Sequence, residues 1–179
     1  ADHLELCGTD AVAFQDKTTL LEQVGLVHNS LPELALGEVD LTTMVVGKKL
    51  RAPLIIAAMT GGVDKADQVN RDLASVAEEL GIGFGFGSMR PLLEEQTRHG
   101  YFVRDVAPSA LILANLGVVQ ARQASTSRIA DLIGETGCDA LCVHLNPAME
   151  MIQQGGDDDF RGGIDTLARL AQELDVPVI

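Results

Sequence analysis

The chain has 179 residues, of which 46% are hydrophobic and 22% charged, the balance of a soluble globular domain with one core of ordinary size. Thirteen basic residues against 26 acidic ones give a net charge of -13, which excludes nucleic acid as an expected partner because phosphate backbones are bound by clustered Lys and Arg. No stretch approaches the roughly 20 apolar residues of a membrane helix, and three cysteines without metal-ligand spacing predict reduced thiols in a cytoplasmic protein.

Residues 1–49 are predicted to form an N-terminal lead-in, or cap, on the domain that follows. This part of the chain is polar around Asp10 to Lys17, and Leu31-Pro32-Glu33-Leu34 is a turn that blocks a long helix. Residues 50–179 are predicted to form the folded α/β part.

Five short apolar runs recur along residues 50–179, and each is predicted to be a buried strand. The first four end in a short polar segment, whereas the fifth ends with the sequence. In chain order the runs are Pro53 to Ala58, Ile82 to Gly87, Leu111 to Leu116, Ala140 to Leu145 and Val176 to Ile179.

Amphipathic helices are predicted between these runs. One begins at Asp64 and ends at Gly81, a second carries Ile129 and ends at Gly137, and a third runs from Ile164 to Leu174. Apolar strands that alternate with helices indicate an α/β fold with parallel strands joined by crossovers.

An open doubly wound sheet and a closed eight-stranded barrel both fit this alternation. Polar segments follow several successive strands, which favours the TIM (β/α)8 barrel, since an open sheet would concentrate them at one switch point. The chain would then cover the cap and roughly the first five of eight strands. We therefore expect the native gene product to continue beyond Ile179, because an unpaired edge there would invite aggregation.

The polar segments are expected to meet at one rim and form a binding site for an anionic small molecule. Arg suits phosphate because its planar fork donates in pairs, and a nearby carboxylate could hold a divalent cation that bridges to the same phosphate. The candidates are Thr60, Ser88, Asn115, Arg90, His144, Asn146 and Glu150.

Each candidate also has an ordinary structural interpretation. Taken alone, Arg90 is better explained as a surface cation paired with Glu94 four residues on, and His144 as a hydrogen-bonded core histidine. Glu150 fits a solvated carboxylate at a helix start. The side chains of Met59, Phe84 and Phe86 are most economically assigned to the core. Only the joint position of the candidates at strand ends favours a site.

These motifs resemble those of type 2 isopentenyl diphosphate isomerases, which are FMN-dependent barrel enzymes, over essentially the whole chain. The resemblance is carried by Asp2-His3-Leu4, Leu31-Pro32-Glu33, Val39-Asp40-Leu41-Thr42-Thr43, Ala58-Met59-Thr60-Gly61-Gly62, Gly87-Ser88-x-Arg90, Ala107-Pro108, Ala114-Asn115-Leu116-Gly117, His144-Leu145-Asn146-Pro147 and Gly156-Asp157-x-Asp159-Phe160-Arg161-Gly162.

The resemblance implies interconversion of isopentenyl diphosphate and dimethylallyl diphosphate by a homo-oligomer that uses reduced FMN as acid and base, Mg²⁺, and NADPH as reductant. It implies His144 and the Met149 position as catalytic residues, and Glu150 as the Mg²⁺ ligand. The implied FMN contacts are Ala58, Met59, Thr60, Ser88 and Asn115, and the implied substrate contacts are His3, Ser88, Met89, Arg90, His144, Asn146 and Met149.

The sequence departs from the family at Met89 and Met149, where the family has Gln. A thioether cannot donate or relay a proton, so either the flavin carries the chemistry alone or the reaction is slow or altered. One alternative is therefore a diverged FMN-dependent barrel enzyme with another allylic or hydride-transfer reaction.

Segments that hold FMN and the diphosphate in the family are also missing: a basic pair before Asp2, and a Lys-Glu-Val-Gly segment and Gly-rich loops after Ile179. We therefore expect the 179-residue chain alone to bind FMN weakly or not at all and not to turn over. Another alternative is a catalytically silent half-barrel that dimerises through its open edge.

Overall fold

The structure, a computed structural model, describes residues 2–153 and 155–179, without the side chains of Asp2 and His3. Its contacts divide the chain into two compact units, Ala1–Leu41 and Thr42–Ile179. The first unit contains helix α1 (Asp2–Cys7) and three short 3-10 turns, Asp10–Val12, Leu21–Gln23 and Leu36–Glu38. Every residue from Glu5 to Leu41 is exposed, so the described part of this unit contributes no buried core.

The second unit is built on a parallel sheet. Its strands are β3 (Ile55–Ile56), β4 (Gly83–Gly85), β5 (Leu111–Gly117) and β6 (Ala140–His144), arranged side by side in sequence order. A separate antiparallel hairpin, β1 (Thr43–Val45) and β2 (Lys48–Leu50), precedes the sheet.

The helices of this unit, among residues 42–153 and 155–179, are α2 (Asp64–Leu80), α3 (Arg90–Leu93), α4 (Val118–Gln123), α5 (Thr126–Thr136), α6 (Pro147–Ile152) and α7 (Gly163–Glu173). The three helices expected from periodicity are α2, α5 and α7. Gly81 and Gly137 follow α2 and α5 in the left-handed conformation, with φ of 65° and 67°, which glycine adopts without a steric penalty. The short helices α3, α4 and α6 begin close to strand ends and had no periodic signal.

Both faces of the sheet are covered at β5. Alternate residues of this strand point to opposite sides, and both sets of side chains are buried. Ile112, Ala114 and Leu116 belong to the main core with residues of the helices, whereas Leu111 and Leu113 pack with Leu50 of the hairpin. The alternation explains why β5 reads as a continuous apolar run.

The prediction of a TIM barrel, with five of its strands in this chain, is wrong: the residues that the structure describes form an α/β fold with a four-stranded, open parallel sheet. The fifth run pairs with β6 through an isolated bridge, Val178 with Leu141, and backbone hydrogen bonds of 2.8–2.9 Å, a pairing too short to form a strand, and β3 lies at the other edge with Ile55 43% exposed. The argument from the polar segments failed for a physical reason. When parallel strands lie in sequence order, their carboxyl ends share one edge whether the sheet is closed or open.

No helix in residues 2–153 and 155–179 combines the length and the apolar character that a membrane crossing requires.

Candidate functional site

The polar segments lie at the carboxyl end of the sheet, and a glycine brings the first two together. The Gly87 amide donates to the Thr60 carbonyl at 2.8 Å. A Cβ atom at Gly87 would lie 2.7 Å from the Met59 and Thr60 carbonyl oxygens, so a side chain there would collide with backbone. Gly87 is therefore required for the close approach of the chain after β4 to the chain after β3.

Thr60 faces inward at this edge. It is 8% exposed, and its hydroxyl donates to the Oδ1 atom of Asn70 on α2. Asn70, 1% exposed, donates in turn to the Thr60 carbonyl at 3.1 Å and to the Gly100 carbonyl at 2.7 Å. The Thr60 side chain therefore anchors the strand-end loop, and the adjoining Ala58 and Met59 are the residues exposed to solvent. The expectation that Met59 belongs to the core is wrong, since it is 56% exposed.

The segment after β4 splits its side chains between solvent and core. Ser88 is exposed, and its carbonyl accepts a hydrogen bond of 2.7 Å from the buried Tyr101 hydroxyl. Met89 is fully buried, with its amide donating to the Asn115 carbonyl at 2.8 Å. The Met89 side chain, which the family resemblance placed against the substrate, thus packs in the hydrophobic core, as do Phe84 and Phe86.

Arg90 forms the ion pair that its spacing predicts, with its Nε atom 2.7 Å from Glu94 Oε1. This bond, and the negative charges of Glu94, Asp157 and Glu150, raise the pKa of the guanidinium despite its partial burial. Arg90 is exposed, so it presents a fixed positive charge near carboxylates from α6 and the loop after it. The two interpretations of Arg90 are compatible, because the ion pair uses Nε and leaves the terminal nitrogens as further donors.

His144 and Asn115 meet at the ends of β6 and β5, with Nδ1 of the imidazole 2.6 Å from Oδ1 of the amide. An amide oxygen can only accept, so Nδ1 carries the proton and Nε2 has the lone pair in the neutral ring. Burial lowers the pKa of His144, partly opposed by the negative charge of Glu150. The structure therefore places a neutral, oriented imidazole at the rim.

This lowered pKa predicts a pH dependence of stability. The unfolded imidazole takes up its proton near pH 6.5, above the folded one, so the His144 contribution is complete above about pH 6.5 and declines as the pH falls towards the folded value. Urea unfolding at pH 8 and pH 5.5 should show a smaller loss of stability in His144→Gln than in wild type. The exposed His28 offers the control His28→Gln, which should keep the wild-type difference. An NMR titration midpoint for His144 at or above 6.5 would contradict the assignment.

Glu150 is held by residues that were not among the site candidates. The Asp157 amide donates to Glu150 Oε2 at 3.2 Å, and the Asp157 carboxylate accepts a 2.5 Å hydrogen bond from Gln120 Nε2. Gln120, on α4, is 7% exposed. The sequence did hold a signal for both residues, because each lies in or next to a motif of the family resemblance. Gln120 comes three residues after Gly117, the end of one motif, and Asp157 lies in the motif that begins at Gly156.

The remaining candidates lie on the exposed surface of the same edge or outside the described residues. Asn146 precedes α6 and Met149 lies on it, and both are exposed, Met149 at 55%. The side chain of His3 lies outside the described part of the chain. The structure thus brings Asn115, His144, Glu150 and Arg90 into one neighbourhood.

Cavities lined by described residues border this neighbourhood. A crevice of about 10 Å³ lies among Gly117, Gln120, His144, Glu150 and Asp157, and has space for little more than a water molecule. A mostly apolar cavity of about 530 Å³ lies beside it, at the starts of α4, α6 and α7. A ligand larger than water would therefore contact the network from its exposed side.

No group of three or more His, Cys, Asp or Glu side chains in residues 4–153 and 155–179 could by itself hold a metal ion. All three cysteines are free, as expected. Burial raises the pKa of the Cys138 thiol to about 12, which keeps it a neutral core residue.

Fold and site together define an α/β protein with polar side chains gathered at the carboxyl edge of a parallel sheet, where such proteins bind ligands. No protein-family model matches the chain. The chain is similar to curated proteins named isopentenyl-diphosphate delta-isomerase: 43% identical to that of Chlorobium limicola, 43% to that of a Synechococcus species and 40% to that of Methanosarcina acetivorans. The alignments cover 99%, 100% and 99% of this chain and 50%, 52% and 49% of the relatives, so the chain spans about half their length.

A solved structure of a mandelate oxidase mutant with a monooxide FMN adduct shares the fold, with a TM-score of 0.55 and 13% identity over 80% of this chain and 44% of that one. The neighbour carries FMN. The names of the sequence relatives specify the isomerase reaction and not whether a flavin takes part.

Proposed function

We propose that the protein carrying this chain interconverts isopentenyl diphosphate and dimethylallyl diphosphate, and that it is the FMN-dependent, type 2 form of the enzyme. The observation that carries the reaction is the identity of 43% to an isopentenyl-diphosphate delta-isomerase along 99% of this chain. The flavin is supported by the FMN-carrying structural neighbour and by the motif resemblance.

The proposed flavin site lies at the carboxyl edge of the sheet. Ala58 and Met59 expose a small apolar surface after β3, and Ser88 is exposed at the neighbouring strand end. The amide oxygen of Asn115 is engaged by His144, so its NH₂ group is the donor that it offers a ligand. We assign the flavin contacts to these four residues and to the backbone of Thr60, whose hydroxyl is occupied by Asn70.

The diphosphate is assigned to the polar half of the same edge. Arg90 supplies a guanidinium, Ser88 a hydroxyl, and Asn146 an exposed amide. Glu150 supplies one carboxylate for Mg²⁺, which typically keeps several waters and binds one or two carboxylates together with substrate phosphates. A single protein carboxylate therefore suffices for a cation carried by the diphosphate. His3 is assigned to the diphosphate by the resemblance.

The reaction adds a proton to one carbon of an alkene and removes one from a neighbouring carbon, without net oxidation. Reduced FMN, kept reduced by NADPH, supplies acid and base when bound. The chain's own groups orient the substrate and hold protons. His144 offers Nε2 as an acceptor while Asn115 fixes its other nitrogen, and no proton transfer is assigned to Met149 because a thioether has no proton to give.

Met149 supports a second candidate, an FMN-dependent enzyme with another allylic or hydride-transfer reaction. The thioether lies on α6 at the exposed rim, at the position where the family has Gln, and it is 55% exposed. An exposed thioether at this position can contact a ligand but cannot relay a proton.

The two candidates are separated by assaying the purified gene product with isopentenyl diphosphate, reduced FMN and Mg²⁺ without oxygen. The proposal expects dimethylallyl diphosphate from the wild type, and faster turnover in Met149→Gln if a relay helps, since general acid–base groups contribute about 10²–10⁴-fold. A wild type without product that Met149→Gln rescues favours the second candidate. A wild type and a variant that both lack product, with flavin bound, refute isomerase function. The 179-residue chain, assayed alongside, tests the expectation that it does not turn over.

A further inference from the structure

Gln120 lies between the two parts of the rim that carry the candidate polar residues. It stands on α4, directly after β5, and its amide nitrogen reaches the Asp157 carboxylate at 2.5 Å across 37 residues of sequence. The side chain is 7% exposed and its residue belongs to a short helix whose neighbours Val118 and Val119 are buried. A polar side chain so enclosed holds one conformation because its hydrogen bond offsets the cost of its burial.

Asp157 connects Gln120 to Glu150. Its backbone amide donates to Glu150 Oε2 at 3.2 Å, so one carboxylate oxygen of Glu150 is engaged by the loop that Gln120 anchors. The Asp157 and Glu150 carboxylates both lie within electrostatic range of the Arg90 guanidinium. The amide of Gln120 gives the Asp157 carboxylate a hydrogen-bond partner without adding charge. The terminal nitrogens of Arg90, whose Nε atom pairs with Glu94, remain donors for a ligand.

Gly117 provides the space for this arrangement. A Cβ atom at Gly117 would collide with Gln120 Oε1 and lie 3.1 Å from His144 Nε2. Gly117 has φ of -70°, which any residue adopts, so its missing side chain rather than its backbone conformation matters here. The Gln120 amide and the His144 imidazole thus share the space that this glycine leaves open.

We propose that Gln120 is a positioning residue, which fixes the carboxylate of Glu150 for a divalent cation and diphosphate by clamping Asp157 and the loop after α6. The cation and diphosphate rest on the function proposed above, whereas the clamp itself can be tested without it. Gln120 touches neither the substrate nor the flavin in this assignment.

The test exchanges the two ends of the hydrogen bond. Gln120→Glu places two carboxylates together, Asp157→Asn places two amides together, and the double variant restores an amide–carboxylate pair with its direction reversed. The first readout is hydrogen exchange of the backbone amide at position 157 by NMR, in the wild type and in each variant. We expect protection to fall about tenfold or more in Gln120→Glu, the size of one charge-assisted hydrogen bond, and to return to within about threefold of wild type in the double variant.

The second readout is affinity for inorganic pyrophosphate with Mg²⁺, measured by calorimetry on the gene product. We expect the pyrophosphate affinity to be lower than that of the wild type in each single variant and to recover in the double variant. Gln123→Glu is the matched control, because Gln123 is exposed on the same helix and the change adds the same charge; it should leave both readouts near wild type.

The outcomes separate the clamp from the proposed function. Single variants that keep wild-type amide protection, or a double variant that fails to recover while remaining folded, overturn the clamp. Recovered protection without any pyrophosphate binding in the wild type supports the clamp on Glu150 and refutes its role for the cation and diphosphate. A gene product that binds pyrophosphate but lacks isomerase activity counts against the proposed function alone.

Discussion

Replacing Asn70 by alanine is expected to destabilise the protein by about 3 kcal/mol, since each buried polar group left without a partner costs about 1–3 kcal/mol. The Asn70 side chain is 1% exposed and serves three groups at once: the hydroxyl and the carbonyl of Thr60, and the carbonyl of Gly100. Alanine removes the partner of all three. Urea unfolding monitored by circular dichroism measures the loss.

The same substitution should also disturb the rim, because Asn70 anchors the loop that exposes Ala58 and Met59. Under the proposed function we expect flavin affinity to fall at least tenfold, measured by quenching of FMN fluorescence at a temperature where the variant is folded. Gln68→Ala, on the exposed side of α2, is the control and should change stability by less than about 0.5 kcal/mol. An Asn70→Ala variant as stable as this control would contradict the anchoring role.

Replacing Asp139 by alanine should produce a stability loss of similar size without the effect on the rim. Asp139 lies before β6, at the opposite end of the sheet. Its carboxylate contacts Arg104 at 2.7 Å and Lys48 at 3.0 Å, and accepts from the Ile112 amide at 2.8 Å. The three charged side chains are only 18–29% exposed. Removing the shared anion leaves two partly buried cations with carbonyl partners alone, at a cost of about 3 kcal/mol, the low end of the range for buried pairs.

For a protein of this size that loss corresponds to a lower Tm by about 6–12 °C. Asp139→Asn keeps an acceptor for the Ile112 amide and should lose about half as much. Flavin and pyrophosphate affinities of the folded Asp139→Ala variant should remain within about twofold of wild type, since this cluster lies at the end of the sheet away from the rim. An equal loss of ligand affinity in the Asn70 and Asp139 variants would contradict this expectation. It would show that ligand affinity falls with any loss of overall stability, wherever the substitution lies.

The fold was predictable as far as local patterns reach. The helices ending at Gly81 and Gly137 were located from apolar spacing and a glycine that adopts positive φ, both of which are local properties. The apolar runs that begin at Ile82, Leu111 and Ala140 contain β4, β5 and β6. Whether the sheet closes was not predictable from these patterns, because strands in sequence order produce the same rim in an open sheet as in a barrel.

The candidate site was also only partly predictable from the sequence. Spacing placed Asn115, His144 and Glu150 at strand ends, but it could not show which way a side chain points. Thr60 and Met89 turned inward, whereas Met59 turned outward. Gln120 and Asp157 were not selected as site residues, although Asp157 lies in a quoted motif, because their hydrogen bond forms only when folding brings them together across 37 residues of sequence.

By itself the sequence determined the alternation of parallel strands and helices and the edge at which polar groups gather, because both follow from short-range periodicity and from the common direction of parallel strands. The tertiary structure decided that the sheet is open, that His144 pairs with Asn115, and that Gln120 reaches Asp157. These features depend on contacts between segments far apart in the chain. Burial and hydrogen bonding at such contacts, rather than local preference, select one orientation for each side chain.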